Sequence, residues 1–526
     1  MKYIFALLIL CSYVTIQAQD ISIKATKSEV FKDKKKHTSL DYSESDGMGG
    51  FVTIRTFYGG MARAPKGYYV EHYNQDLKLV NKTEIEIDKS QVKGLMIENG
   101  TVYILETLLD KKADLFKFNV LESSLNAFNF QKKTLFTLNE EEVKKYFHSF
   151  AGFGIIMMGQ MNQKDTDLLG EVTFSANRNF FCVNFDIKDK TQETQRLYVY
   201  NKQFEQVFVR DFERDIADKY FQYENIDIDD ITGDIYLLGK VFENGSTRRK
   251  KKGKANYHYE LHKITATDTK KAVFEPGENF IGSLYTVRGE NKISCAGFYS
   301  ERNDSRYKGV CRFDLDPNTL EKISSNYMPF SEEFIIDKYG KKKDKELRNL
   351  SYRGGFLTAN DELIINAEEY YVTAHTNMLQ NGGMTTRYVW HYNDIVSVKI
   401  SKDGELLWSR NINKQQASGG LSIEYLSFSS TVVGDDTYFF INCADKIKTL
   451  SKNRIAFKQA TRKKSNLYAI KIDNDGNYTY KSIVDNEDTE VPYFVREGIS
   501  ASEDGKEMIF IGRRKAKKQF LKLQIE

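Results

Sequence analysis

The chain is poor in the residues that usually interrupt or staple a protein. It has 5 prolines in 526 residues and no proline-, glycine- or serine-rich stretch, so nothing marks a linker between two domains. Its loops must be built from Gly, Asn, Asp and Lys instead. With 5 cysteines it has too few for a disulfide scaffold of this size. Beyond Ile16 no apolar run approaches the roughly 20 residues of a membrane-spanning helix. The formal charge of +4, spread over the whole length, gives no argument for a nucleic-acid partner. A nucleophile elbow, a phosphate loop and HExxH are all missing, and no cofactor is implied.

What the chain has is aromatic residues, 32 Tyr and 35 Phe, with few helical heptads. That composition suits stacked sheets, where Tyr and Phe fill a pleated surface. The first twenty residues have Lys2, an apolar run from Ile4 to Ile16 and then Gln17-Ala18-Gln19. This is the form of a secretory signal peptide over residues 1–18, cleaved after Ala18. Cys11 would leave with it, because Leu10 stands where a lipoprotein site needs a small residue. Export to the periplasm or the extracellular space is the expected localisation, for a soluble monomer.

The stretch from Gly434 to Asp485 supplies the repeating unit. Tyr438–Asn442 is a short apolar run, Leu467–Ile472 a second and Tyr478–Ile483 a third, the last two joined by the turn Asp473-Asn474-Asp475-Gly476-Asn477. A further apolar run, such as IEYLSFSS, precedes most units, which gives four strands each. Anchoring on the second strand places units at Val52, Tyr103, Phe181, Ile235, Ile293, Leu363, Tyr438 and Met508. Repeated four-stranded units predict an all-β chain, a β-propeller of about eight blades, or seven if one unit is misread, filling residues 19–526 as a single domain. A membrane barrel is excluded because runs such as IYLLG and YFFIN are short and apolar on both faces. The last unit ends at its third strand and the chain begins with an orphan strand, so Ile21–Phe31 is expected to pair outside Phe520–Ile525. The segment from Asn139 to Phe150 reads as a short helix.

Two units carry a family likeness: TFSANRNFFCVNFD followed by LYVYN from Thr173, and SASEDGKEMIFIGR followed by FLKLQI from Ser500. They resemble the TolB-type, WD40-like propeller repeat, with a Ser-Pro-Asp-Gly turn before an apolar strand. Glu503 stands here where Pro is usual, and Asn177-Arg178-Asn179 replaces Asp-Gly.

In such a blade the connection between second and third strands opens on the same side as the link to the next blade. Those connections are the long ones here: Tyr58–Gly67, Glu243–Tyr257, Tyr370–His391 and Cys443–Ser465. They also carry the cations, among them Arg248, Arg249, Lys250, Lys251, Arg454, Arg462 and Lys463, with Arg513 to Lys518 in the last unit. Acidic turns, such as Asp227 to Asp234, fall on the opposite side. The expected function is non-catalytic binding of an acidic glycan, an anionic lipid headgroup or an acidic protein. The bland alternative is that lysine-rich loops only keep the chain soluble.

The segment from Glu368 to Asp394 gathers Glu368, Glu369, Tyr370, Tyr371, His375, Arg387, Tyr388, Trp390 and His391. Aromatic faces, acid/base groups and an arginine suit a second reading, a hydrolase or lyase acting on acidic polysaccharide, with His391 or Tyr388 as acid or base, His375 beside them, Arg387 on a uronate and Trp390 and Tyr371 for stacking. Strand-spaced Tyr388, Trp390 and Tyr392 would equally suit packing. His258, Glu260 and His262 share one side of a strand, but lacking a fourth ligand they are read as structural and no metal is assigned. Cys295 and Cys311, on consecutive strands, would face each other across a hairpin as a disulfide, or else stand as two buried free thiols.

Overall fold

The computed structural model describes residues 21–526 apart from 36, 60–63, 88–89, 144–169, 189–192, 290–291, 304, 379–383, 421–422 and 503, and the side chains of Glu193, Asn453 and Arg462 are likewise outside it. The leader expected at 1–18, with Cys11, therefore lies outside the described residues.

Among the described residues the strands form eight sheets of four or more strands built on antiparallel meanders, numbered here in chain order, with two short two-stranded ribbons beside them. Sheet 1 comprises His37–Ser45, Phe51–Gly59, Ala64–Tyr73 and Leu79–Glu86, and sheet 4 comprises Phe221–Ile228, Ile235–Phe242, Tyr257–Ile264 and Thr269–Phe274. Sheets 2, 3 and 5 repeat the pattern from Ser90, Glu171 and Phe280. Sheet 6 (Leu350–Leu357, Leu363–Met378, Met384–Ile400, Leu406–Ser418) has unusually long middle strands, and sheet 7 runs from Ser429 to Val484. Sheet 8 has Ile499–Ser500, Glu507–Arg514 and Lys517–Ile525 from the C-terminus, and Ile23–Lys27 as its outer strand.

Strands apolar on both faces explain why these sheets stack around an axis. In IYLLG, Ile235 and Leu237 pack toward sheet 3, while Tyr236 and Leu238 pack toward sheet 5. In YFFIN, Phe439 and Ile441 turn to sheet 6, and Tyr438 and Phe440 to sheet 8. Alternate residues thus feed two neighbours, as the strand period of two requires. Every consecutive pair of sheets shares such a cluster, and another, with Phe51 and Tyr73 against Ile509 and Phe520, joins sheet 8 to sheet 1. The first strands are innermost, and those of sheets 8 and 1 through 6 touch one another in succession. This is a β-propeller.

The chain ends meet in sheet 8. Ile23–Lys27 pairs with Leu521–Ile525 in register from Ile23↔Ile525 to Lys27↔Leu521. Beyond it, the amide of Ser28 donates to the Phe520 carbonyl at 3.0 Å, and Phe31 stacks on Phe520 with centroids 5.7 Å apart. Arg55 of sheet 1, fully buried, makes one bidentate pair with Glu71 (2.7 Å and 2.7 Å) and another with Asp33 of the incoming N-terminal segment (2.7 and 3.0 Å). Lys518 of sheet 8 also bonds Asp33, and Lys82 reaches Glu71 at 2.7 Å. The guanidinium carbon lies 5.1 Å from the Phe31 ring and 5.8 Å from the Phe520 ring. Such geometry is what a buried ion pair needs to offset desolvation.

The Ser-based turns of the two quoted repeats share one device. Ser175 Oγ accepts from the Phe180 amide at 3.1 Å, and Ser502 Oγ from the Glu507 amide at 2.9 Å, in each case at the entry to the apolar strand. The helix expected from Asn139 is not formed by its described part: Asn139 ends a strand, 140–142 turn, and Val143 bridges to Ile187, while 144–150 lie outside the described residues. Among the described residues one α-helix, α1 (Glu332–Tyr339), links sheets 5 and 6, with Ser331 Oγ accepting from the Phe334 amide and Gly340 left-handed at φ 71°. Its Ser-x-x-Phe start and Gly stop are sound helix signals that the strand repeat overshadowed.

Removing one partner from the Arg55 network leaves a buried charge unpaired, so Arg55→Ala or Asp33→Ala should lower the unfolding free energy by about 3–5 kcal/mol in urea titrations. Burial would raise the Asp33 carboxyl, but Arg55 and Lys518 hold it down at about 2. A depressed acid stabilises the fold above the ordinary aspartate range of about 4 and stops doing so as pH falls toward 2. The wild-type excess stability over Asp33→Ala should follow that course; an excess unchanged between pH 5 and 2 would contradict it.

Candidate functional site

Contacts between neighbouring connections define the two sides of the propeller. Lys250 Nζ, between the second and third strands of sheet 4, donates to the Arg302 carbonyl in the equivalent connection of sheet 5 at 2.7 Å, and Lys254 pairs with Glu278 on the link between the two sheets at 2.6 Å. Arg513 of sheet 8 pairs with Glu424 on the link from sheet 6 to sheet 7 at 3.1 Å. On the other side, the Asn177 amide donates to Asp230 at 2.9 Å, and Arg288 pairs with Asp229 at 2.6 Å.

The basic connections are partly neutralised and partly structural. Asn256 is buried and its side-chain amide donates to the carbonyls of Glu243, Ser246 and Arg248, each at 3.0 Å, so it shapes the sheet 4 connection from within. Lys250–Lys251 pairs with Lys254–Ala255 as a short ribbon that leaves Arg248, Arg249 and Lys251 exposed. The sheet 7 connection is not a free loop. Ile455–Lys458 adds in parallel to the last strand of sheet 6, and Arg454 donates to the carbonyls of Asp337 and Lys338 at 2.9 and 3.1 Å. Arg454, expected to bind a ligand, instead satisfies the C-terminal turn of α1. Lys463 is exposed, and the side chain of Arg462 lies outside the described residues. Lys518 is buried where it pairs with Asp33.

The segment expected as a loop around Tyr370–His391 is a hairpin, the extended middle strands of sheet 6. Its register, Tyr371↔His391 and His375↔Arg387, divides the proposed catalytic set between two faces. Tyr371, His375, Arg387 and His391 take one face: the His391 ring stacks on Tyr371 at 4.4 Å, and Thr373 Oγ1 is 3.0 Å from His391 Nε2 and 3.3 Å from His375 Nε2. Burial and the neighbouring His375 lower the His391 pKa. Tyr388 and Trp390 alternate onto the other face, where Trp390 is buried against Tyr392 and Leu426 and offers no face to a sugar. The carboxylates at the base are committed elsewhere: Glu368 is buried on Lys414 (2.8 Å) and Arg353 (2.7 Å), and Glu369 is on Lys338 (3.1 Å). A proton-transfer pair is thus not assembled from these residues.

In the HYELH strand, Glu260 gathers four partners: His258 at 3.2 Å, His262 at 3.0 Å, Lys271 at 3.2 Å and Arg214 at 2.6 Å. Burial opposes its ionisation, but these donors hold it well below the usual carboxylate range. The deeper His262 is pushed down by burial, whereas His258, held between Glu260 and Glu243, is pushed up.

One region is absent from the sequence reading. The innermost strands of sheets 1, 2, 4, 5 and 6 each carry a bulge against the second strand, at Leu40/Tyr42, Val92/Gly94, Tyr223/Asn225, Ile281/Ser283 and Tyr352/Gly354. The extra residues are Asp41, Lys93, Glu224, Gly282 and Arg353, and bulges often re-aim side chains beside functional sites. Asp41 bonds Ser39, which also meets Tyr58 Oη at 2.9 Å; the Leu40 amide donates to Glu497 at 3.4 Å. Burial, then repulsion from Glu424 and Asp41, raises the Glu497 carboxyl to about 8 against the pull of the Leu40 amide and Arg513. A recurrent bulge has no residue-type signature, so spacing alone did not show it.

Cys295 and Cys311 are free, as are Cys182 and Cys443, and all four are buried. The register sets Cys295 opposite Phe313 and Cys311 opposite Gly297, so the two thiols are diagonal neighbours. Diagonal side chains stand about 7–8 Å apart, beyond the ~4 Å between Cβ atoms that a disulfide requires. Both fill the core between sheets 4 and 5.

Among the described residues no helix is long and apolar enough to cross a membrane. No family model and no curated protein sequence matches the chain. Solved structures do align. The β-propeller domain of the Trilobed protease from Pyrococcus furiosus aligns at 8% identity and a TM-score of 0.36, over 87% of this chain and 98% of that one. An oligogalacturonate lyase in complex with manganese gives 8% and 0.37, over 96% and 98%. Prolyl oligopeptidase B from Galerina marginata gives 7% and 0.38, and the aligned region spans 56% of that chain.

Two outcomes follow for the interior. An acid whose folded pKa is raised loses stability as pH climbs from its unfolded value, about 4.3, to about 8. Glu497→Gln should therefore gain in thermal stability over wild type progressively across that window; a constant difference would contradict the assignment. Alkylation of the native chain should spare Cys182, Cys295, Cys311 and Cys443, and label all four in denaturant without reductant. A Cys295–Cys311 cross-linked peptide would overturn the register.

Proposed function

We propose that this chain is an exported binding protein that engages a polyanionic surface, an acidic glycan or anionic lipid headgroups, through the side of the propeller bearing the second-to-third-strand connections. The observation that carries the reading is the set of exposed cations there with no carboxylate partner among the described residues: Arg248, Lys251 and Lys252 on sheet 4, Lys446, Lys448, Lys463 and Lys464 on sheet 7, and Lys515 on sheet 8. Eight such cations on connections that open on the same side offer a polyanion several simultaneous contacts. The TolB-like turns and the leader-like N-terminus fit the same picture of a protein working outside the cytoplasm. The hydrolase or lyase reading is the weaker one, because the hairpin residues that motivated it divide between two faces and its carboxylates are held in ion pairs.

Electrostatic attachment to a polyanion weakens with salt and with each cation removed. Arg248, Lys251 and Lys252 replaced together by Gln should elute from heparin, and release from vesicles containing phosphatidylserine, at clearly lower salt than wild type. Lys402→Gln, on the opposite side, should leave both unchanged. Retention that ignores salt, or that responds equally to both sets, would contradict the proposal.

A further inference from the structure

The structure assigns a divalent-cation site to Glu243, His258 and Glu275, at the root of the sheet 4 connection. The reading stands apart from the polyanion surface and uses none of its cations. One ligand atom from each of the three residues lies within 4.8 Å of the others, and His258 Nδ1 is 2.8 Å from Glu243 Oε1. Two ligands on one zinc-sized ion at about 2.0–2.2 Å are separated by roughly 3.4 Å in a tetrahedral arrangement. Seating the ion would open the 2.8 Å His258–Glu243 contact by about 0.6 Å and draw in Glu275, which is exposed and stands on the link to sheet 5.

The surroundings of His258 argue for a ligand more strongly than the cluster does. A metal-bound imidazole normally presents one nitrogen to the ion and donates the other N–H to a carboxylate that fixes the ring. His258 has this arrangement: Nδ1 faces Glu243, and Nε2 is 3.2 Å from Glu260 Oε1. Glu260 is in turn anchored by His262, Arg214 and Lys271, so it orients the ring without itself binding the ion. The backbone is prepared as well. The Glu243 amide donates to the Asn256 carbonyl at 3.0 Å, which fixes the two ends of the connection two residues before His258. One imidazole and two carboxylates suit a first-row divalent ion such as Zn²⁺, with a position left for water or ligand, and suit Ca²⁺ poorly because of the nitrogen donor. The HYELH strand alone pointed to His258 with Glu260 and His262; the fold leaves Glu260 to orient the ring and replaces His262 by two glutamates from neighbouring segments.

The test is calorimetric titration of Zn²⁺ into the purified, chelator-treated chain, with Co²⁺ as a spectroscopic probe. One saturable site per chain is expected, with a Co²⁺ visible spectrum free of thiolate charge-transfer bands and no thermal shift from Ca²⁺. Glu275→Gln, at an exposed position that should not disturb folding, should weaken Zn²⁺ at least tenfold, and Glu260→Gln, which removes the orienting group, by about 10–100-fold. No saturable binding would overturn the site. Unchanged affinity in Glu275→Gln, a thiolate band, or an equal response to Ca²⁺ would each do so too.

Discussion

The arrangement depends on a buried guanidinium. Arg55 holds Asp33 and Glu71 in paired hydrogen bonds, under the rings of Phe31 and Phe520, at the place where the last sheet meets the first. An open row of sheets would leave two strand edges and two apolar faces in water, which invites association with other chains. Here the N-terminal strand covers the edge of the final sheet, and the Arg55 network orients the segment that follows so that it enters sheet 1 in register. Breaking the network removes a charge partner and loosens a junction that the pairing of Ile23–Lys27 with Leu521–Ile525 also holds.

That constraint also decides where chemistry can be mounted. With the sheets stacked face to face, side chains within a strand are used up by the two neighbouring sheets, and only connections and innermost strands remain available. The long connections open together on one side, where exposed lysines and arginines stand among paired ones such as Arg513 with Glu424. Five of the innermost strands are bulged, so Asp41 and Arg353 take positions that a regular ladder would not give them. The His258 cluster lies where these two rules meet, at a strand end fixed by the sheet and beside a connection fixed by Asn256.

Much of the fold was legible because strand period and turn chemistry are local properties. All eight anchors, from Val52 to Met508, fall in second strands, and the turn at Asp473 is a hairpin in which Asp473 accepts from the Asp475 and Asn477 amides. The N-terminal pairing was readable from a missing fourth strand. What escaped depends on register and on distant contacts. Cys295 and Cys311 miss each other by one diagonal step, which sequence spacing cannot resolve. Arg454 looked like a free cation until the end of α1 was seen beside it. Trp390 read as a binding aromatic because nothing in its neighbours announces Leu426. The Glu243–His258–Glu275 group draws on three segments, and HYELH exposed only one of its members.

Native-state hydrogen exchange at the two chain ends tests the central claim most directly. If the termini share one sheet, the amides of Ile23–Lys27 should be protected to the same degree as those of Leu521–Ile525, and both sets should lose protection together in Arg55→Ala. Exchange of Ile23–Lys27 at unstructured-peptide rates, while Leu521–Ile525 stays protected, would contradict the account.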